Sequence, residues 1–102
     1  MLTIDEVKTY LRVDGNVEDA LIQTLMNAAE SYMEGAITNY KARCAAAEDD
    51  SSDTWLDKVN VLKLKMIAAD YEGRGMNTVL MDNRYKSLML QLQTEGRRFK
   101  NA

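Results

Sequence analysis

The sequence predicts an all-α fold, a small bundle of about four helices. Three observations carry that prediction. The 102 residues contain no proline and only five glycines, so the main helix breakers are scarce. No segment sustains the apolar–polar alternation of a half-buried strand. Apolar residues instead recur at spacings of three and four along most of the chain, the period of an amphipathic helix. A chain of this length fits one domain, residues 1–102. A core is affordable at this size without staples.

The first helix is short. Thr3 followed by Glu6 is a capping box, in which the hydroxyl takes an orphan amide and the carboxylate reaches back. Ile4, Val7, Tyr10 and Leu11 then share a face, and the helix stops around Arg12. The "VDGN" stretch is turn chemistry, with Gly15 free to take positive φ. Asn16 is the expected cap of a long second helix, with Asp19 near its positive dipole end. Leu21, Leu25, Ala28, Tyr32 and Ala36 form one stripe of that helix, which Ile22, Met26, Ala29 and Met33 widen. Gly35 marks a kink or break before the helix resumes through "NYKARCAAA".

The "EDDSSD" run, Glu48 to Asp53, reads as a solvated linker that ends one helix and caps the next. It lacks the alternating oxygen ligands and the closing glutamate of a calcium loop. Ser52 or Asp53 caps a third helix carrying Trp55, Val59, Leu62, Met66 and Ala69 on one side. Val61, Leu64, Ala68 and Tyr71 cover a second side, so this helix belongs in the middle of the bundle. Gly73 or Gly75 supplies its left-handed cap. Thr78 opens a fourth helix with Met81, Tyr85, Leu88 and Leu92 as its stripe, and Gly96 ends it. Residues 96–102 are then a flexible tail.

Composition excludes more than it proposes. Histidine is absent, which removes the commonest general base and the commonest metal ligand. A single cysteine, Cys44, excludes an internal disulfide and a multi-cysteine zinc site. No catalytic residue, metal ligand or cofactor site is expected, and the chain is not read as an enzyme. No apolar run approaches the ~20 residues of a membrane span. The opening "MLTIDEVK" is not expected to be a signal peptide, because it leads into no apolar region.

A short capped helix, a glycine turn and a second helix are also how a helix-turn-helix DNA reader begins. Such a reader contacts phosphates through lysine and arginine. The second helix instead carries Glu18, Asp19, Glu30 and Glu34, with no base before Lys41. A helix-turn-helix regulator is therefore the alternative, and an adaptor in some other assembly a third reading.

The stretch "LTIDEVKTYLRVDGNVEDALIQTLMNAAESYME" resembles the opening of the head–tail connector (adaptor) proteins of tailed phages and prophages. In that family a short helix ending in leucine, a basic residue and an aspartate precedes "D…ED" and a long alanine-rich helix. Leu11, Arg12, Asp14, Glu18, Asp19, Ala28, Ala29 and Tyr32 match that pattern. A second signature, a helix ending in tyrosine, glutamate and arginine, matches Tyr71, Glu72 and Arg74 in "MIAADYEGRG", with Gly73 where the family usually has asparagine. The resemblance covers about residues 2–34 and 59–75. The segment from Gly35 to Thr54 matches no pattern, and the fourth helix is longer than usual for the family.

The resemblance implies a structural protein without catalysis. It implies a homo-oligomeric ring below the portal protein, joined to a stopper or tail-completion protein, with DNA passing through the lumen without specific binding. The location implied is the virion head–tail junction, after assembly in the bacterial host cytoplasm. Charge fits such a ring. Residues 1–53 hold eleven acids and four bases (−7), and residues 54–102 hold five acids and nine bases (+4), which sum to the −3 of the whole chain. Head-to-tail contacts can set an acidic surface against a basic one, although folding can equally mix the two halves. The candidate subunit or portal contacts are Trp55, Tyr71, Glu72, Arg74, Arg97, Arg98, Phe99 and Lys100. Trp55 is a core anchor or an interface anchor, and Tyr71 a packing residue or a contact. The "RRFK" segment is a docking element for an acidic partner or a solubilising tail.

Overall fold

The computed structural model describes residues 2–100. Among these residues it is all helical, with five α-helices and one 3₁₀ helix. They are α1 (Ile4–Leu11), α2 (Asp19–Ala36), α3 (Tyr40–Glu48), α4 (Trp55–Tyr71), the 3₁₀ helix (Met76–Met81) and α5 (Asn83–Arg98). The all-α expectation holds, and the count rises from about four to six.

The capping box of α1 forms as expected: the Glu6 amide donates to Thr3 Oγ1 at 3.2 Å and the Thr3 amide to Glu6 Oε1 at 2.9 Å. The helix ends on Arg12 in the left-handed conformation (φ 60°), whose amide donates back to the Lys8 and Thr9 carbonyls. Asn16 does not cap α2 with its side chain. Its Oδ1 accepts from Lys8 Nζ at 3.2 Å, and only its carbonyl serves the helix start, accepting from the Asp19 amide.

The expected long second helix is two helices, and the break is not at Gly35. Gly35 lies inside α2, exposed and with nothing near it. The chain turns instead at Ile37, which is extended and 2% exposed, and at Asn39, which is left-handed (φ 61°). Burial of the β-branched Ile37 outweighs the conformational freedom of a glycine two residues earlier. Asn39 fixes the elbow by donating its amide to the Gly96 carbonyl at 3.0 Å and the Phe99 carbonyl at 3.2 Å. The buried stripe of α2 also differs from the expected one. Ile22, Ala29 and Met33 are fully buried, whereas Leu21 is 50% exposed and Ala28 is exposed.

α4 is the central helix, as its two apolar sides required. It packs against α1, α2, α3, α5 and the 3₁₀ helix. One core, including Met33, Ile37, Trp55, Leu62, Met66 and Leu92, fills the space among α2, α3, α4 and α5. A second, with Leu2, Val7, Ile22, Ala29 and Ile67, sits under α1. Asp53 caps α4 through Oδ1, which accepts from the Trp55 amide at 2.9 Å. At the other end Gly73 and Gly75 both take positive φ, and the Arg74 amide closes on the Ala69 carbonyl. No long apolar helix is present among the described residues that could cross a membrane.

The C-terminal third corrects three expectations. Thr78 does not open the fourth helix. It lies inside the 3₁₀ helix and donates to the Gly75 carbonyl at 2.7 Å, while Asp82 caps α5 by accepting from the Arg84 amide. Met81 is 82% exposed and leaves the core stripe. Gly96 does not end the helix. α5 runs on to Arg98, with Gly96 buried against the Ile37–Thr38 elbow. Of the expected tail, only Phe99 and Lys100 follow the helix within the described residues; 101–102 lie outside them.

Candidate subunit-interface site

Two segments far apart in sequence meet at one cleft. The end of α1 contributes Tyr10, Leu11 and Arg12. The last turns of α4 and the turn after it contribute Lys65, Ala68, Tyr71, Glu72 and Arg74. The cleft holds about 350 Å³. A second concavity shares Lys65 and Arg74 and continues to Thr78, Asp82, Arg84 and Tyr85. Local structure places these groups. The left-handed cap sets Arg12 at the α1 terminus, and the two positive-φ glycines fold Arg74 back beside α4.

Tyr71 clamps the cleft's floor. Its hydroxyl donates to Glu18 Oε2, tying the end of α4 to the start of α2. The Glu18 carboxylate pushes the Tyr71 phenol above its ordinary pKa, so the hydroxyl stays a donor. Glu72 and Arg74 pair at 3.0 Å with both side chains more than half exposed, and such a pair adds little stability. Lys65 stands between two aromatic rings, its Nζ 5.5 Å from the Tyr10 centroid and 5.8 Å from that of Tyr85. The phenols of Tyr10 and Tyr85 hold its ammonium above the usual lysine range. Arg84 lies 5.4 Å from the Tyr85 ring and pairs with Asp82 at 2.8 Å.

The candidate contacts named from sequence therefore separate. Tyr71, Glu72 and Arg74 come together in the cleft. Trp55 does not join them. It is fully buried, its indole N–H donates to Cys44 Sγ at 3.2 Å, and the Arg43 guanidinium covers its ring at 4.9 Å. The core reading of Trp55 is the one the structure takes, and a fully buried ring is not available to a partner. Arg43 is held in turn by a two-pronged pair with Asp53, at 2.6 and 2.9 Å. Phe99 is half-buried against this group, 6.0 Å from Arg43. Arg97, Arg98 and Lys100 are exposed around the end of α5.

Sequence reading missed Tyr10, Lys65 and Arg84. Tyr10 falls on the apolar stripe of α1 by its spacing but is 41% exposed. Lys65 and Arg84 carry no local signal. Only the packing of α1, α4 and the start of α5 brings them to the cleft.

No curated protein and no solved structure matches this chain. A family model does: the phage gp6-like head-tail connector protein model matches residues 1–92. That span includes both segments of the cleft and stops short of Arg97, Arg98, Phe99 and Lys100. With nine-tenths of its length so matched, the chain belongs to the phage gp6-like head-tail connector protein family.

Proposed function

We propose that this chain is the repeating subunit of a ring set between the portal protein and the stopper or tail-completion protein of a phage or prophage. DNA passes through the lumen of the ring without specific contacts. The subunit acts in the virion head–tail junction, assembles in the host cytoplasm, and carries out no catalysis. The observation that carries this reading is the family match over residues 1–92. The meeting of its two signature segments, at Arg12 and at Tyr71–Arg74, in one surface cleft supports it. The acids of α2 agree, because they are committed to internal partners rather than facing a polyanion: Asp19 to Lys8, Glu30 to Lys63 and Glu34 to Lys41.

The C-terminal end supplies a second contact in this proposal. Arg97, Arg98 and Lys100 form no ion pair within the described residues and offer three cations to an acidic portal surface. Co-sedimentation with the cognate portal, followed by electron microscopy of the pellet, tests the reading. Wild type is expected to co-sediment and add a ring, and the Arg97→Glu, Arg98→Glu variant to bind more weakly with an unchanged circular dichroism spectrum. Wild-type protein that never binds the portal at any salt concentration defeats the proposal. Tight, sequence-dependent duplex binding in a fluorescence titration would restore the regulator reading.

A further inference from the structure

The cleft at the end of α4 has an unanswered charge. Lys65 is half-buried between Tyr10 and Tyr85, and neither it nor the neighbouring Arg12 meets a carboxylate partner within the described residues. Glu72, the acid that lines the cleft, is already held by Arg74. The two phenols favour the charged form of Lys65, and an arriving carboxylate would bring the opposite charge that the cleft lacks.

A matching anion lies elsewhere on the same chain. Glu48, which ends α3, and Asp49 and Asp50, which follow it, are three consecutive exposed acids, and none pairs with a base among the described residues. Asp50 accepts from the Ser52 hydroxyl and amide, which hold its carboxyl below the ordinary range and keep it charged. No ion pair joins the cations of the C-terminal end to these three acids within the described residues.

The acids and the cleft sit at opposite ends of α4. Its seventeen residues separate them by about 25 Å, so one chain cannot bring its own loop to its own cleft. We infer that the Arg12–Lys65–Arg74 cleft of one subunit takes the Glu48–Asp50 loop of the next copy. The inference rests on the ring reading and specifies its contact. Two different surfaces at opposite ends make a head-to-tail interface, which closes into a ring when the rotation between copies permits.

The test uses the full chain and sedimentation velocity across protein concentration and salt. Wild type is expected to self-associate, and to do so less as salt rises. The cleft variant (Arg12→Glu, Arg74→Glu) and the loop variant (Glu48→Lys, Asp49→Lys, Asp50→Lys) are each expected to associate at least about tenfold more weakly, because like charges then face each other. All of these positions are exposed, and circular dichroism checks folding. Mixing the two variants restores opposite charge at every contact and is expected to restore association. So is placing both sets of changes in one chain. Wild-type association that neither variant weakens, or that mixing does not rescue, overturns this contact and leaves the ring standing. If the variants still associate and lose only portal binding, the cleft's occupant is the portal. Wild type that never self-associates, alone or on the portal, overturns both readings.

Discussion

Gly96 and Gly35 both lie inside α-helices, and the same substitution should act on them with opposite sign. A Cβ at Gly96 would come within 2.8 Å of Ile37 Cγ2 and nearer still to the Thr38 carbonyl oxygen. That oxygen is backbone and cannot rotate away, so the whole Ile37–Asn39 elbow must shift. Forcing atoms into a packed core costs about 1–3 kcal/mol, and a backbone obstacle puts Gly96→Ala at the upper end. Alanine returns about 1 kcal/mol of helix propensity. The net is a loss of about 2 kcal/mol, or roughly 10 °C in Tm for a domain of this size. Gly35 is exposed and a Cβ there meets nothing. Gly35→Ala keeps the propensity gain alone, about 0.5–1 kcal/mol, and should raise Tm by about 4 °C. Urea and thermal unfolding followed at 222 nm measure both. A Gly96→Ala protein as stable as wild type, or more so, refutes the claim that α5 docks on the elbow through a missing side chain.

Three further substitutions probe the charged groups in and around the core. Lys63 is 5% exposed, and its ammonium reaches Glu30 Oε1 at 2.8 Å, where the Tyr40 hydroxyl also donates at 2.7 Å. Glu30→Ala strands that cation and should cost about 2–3 kcal/mol, less than a fully buried pair because Glu30 keeps some solvent contact, whereas Lys63→Met should be close to neutral; equal urea midpoints for the two would contradict this. Arg43 and then the Trp55 amide hold the Asp53 carboxyl below its ordinary range. A depressed folded pKa gives stability that is present above the unfolded value of about 4 and is lost as pH falls through the folded pKa. Asp53→Asn should therefore lower stability at pH 7 and flatten the acid limb of a stability–pH curve, and an unchanged acid limb would remove Asp53 from that role.

The readable part of the fold was the part governed by local chemistry. The Thr3–Glu6 box, the acid-capped start of α4 and its glycine-marked end depend on residues a few positions apart, and each is where the pattern put it. The central place of α4 was legible because apolar residues occupy two of its sides. What failed depended on distant partners. Glycine looked like a helix stop at 35 and at 96, but in one case nothing obliges the helix to stop and in the other the helix needs the absent side chain to approach Thr38. The true break, at Ile37 and Asn39, is set by burial against α5 and by an amide that bonds to carbonyls 57 and 60 residues away. No local window contains that information. The charge imbalance between the chain's halves was real, but only the pairings show which charges remain free on the surface.

The cleft explains why two unremarkable short motifs belong together. Leu11 packs into the core under α1, and Glu18 takes the hydroxyl of Tyr71, so these parts of the two segments fasten α1, α2 and α4 into one corner. Arg12, Glu72 and Arg74 occupy the same corner but point their charge outward, where pairing is weak and contributes little to folding. Stability alone does not call for them. A corner that is rigid underneath and charged on top suits a contact that must be strong enough to order subunits and weak enough to avoid trapping a wrong one, because opposed charges guide encounter and reject mismatched neighbours more than they add raw affinity. In the proposed ring, the anchored half of each motif supplies the platform, and the exposed charged half meets the partner.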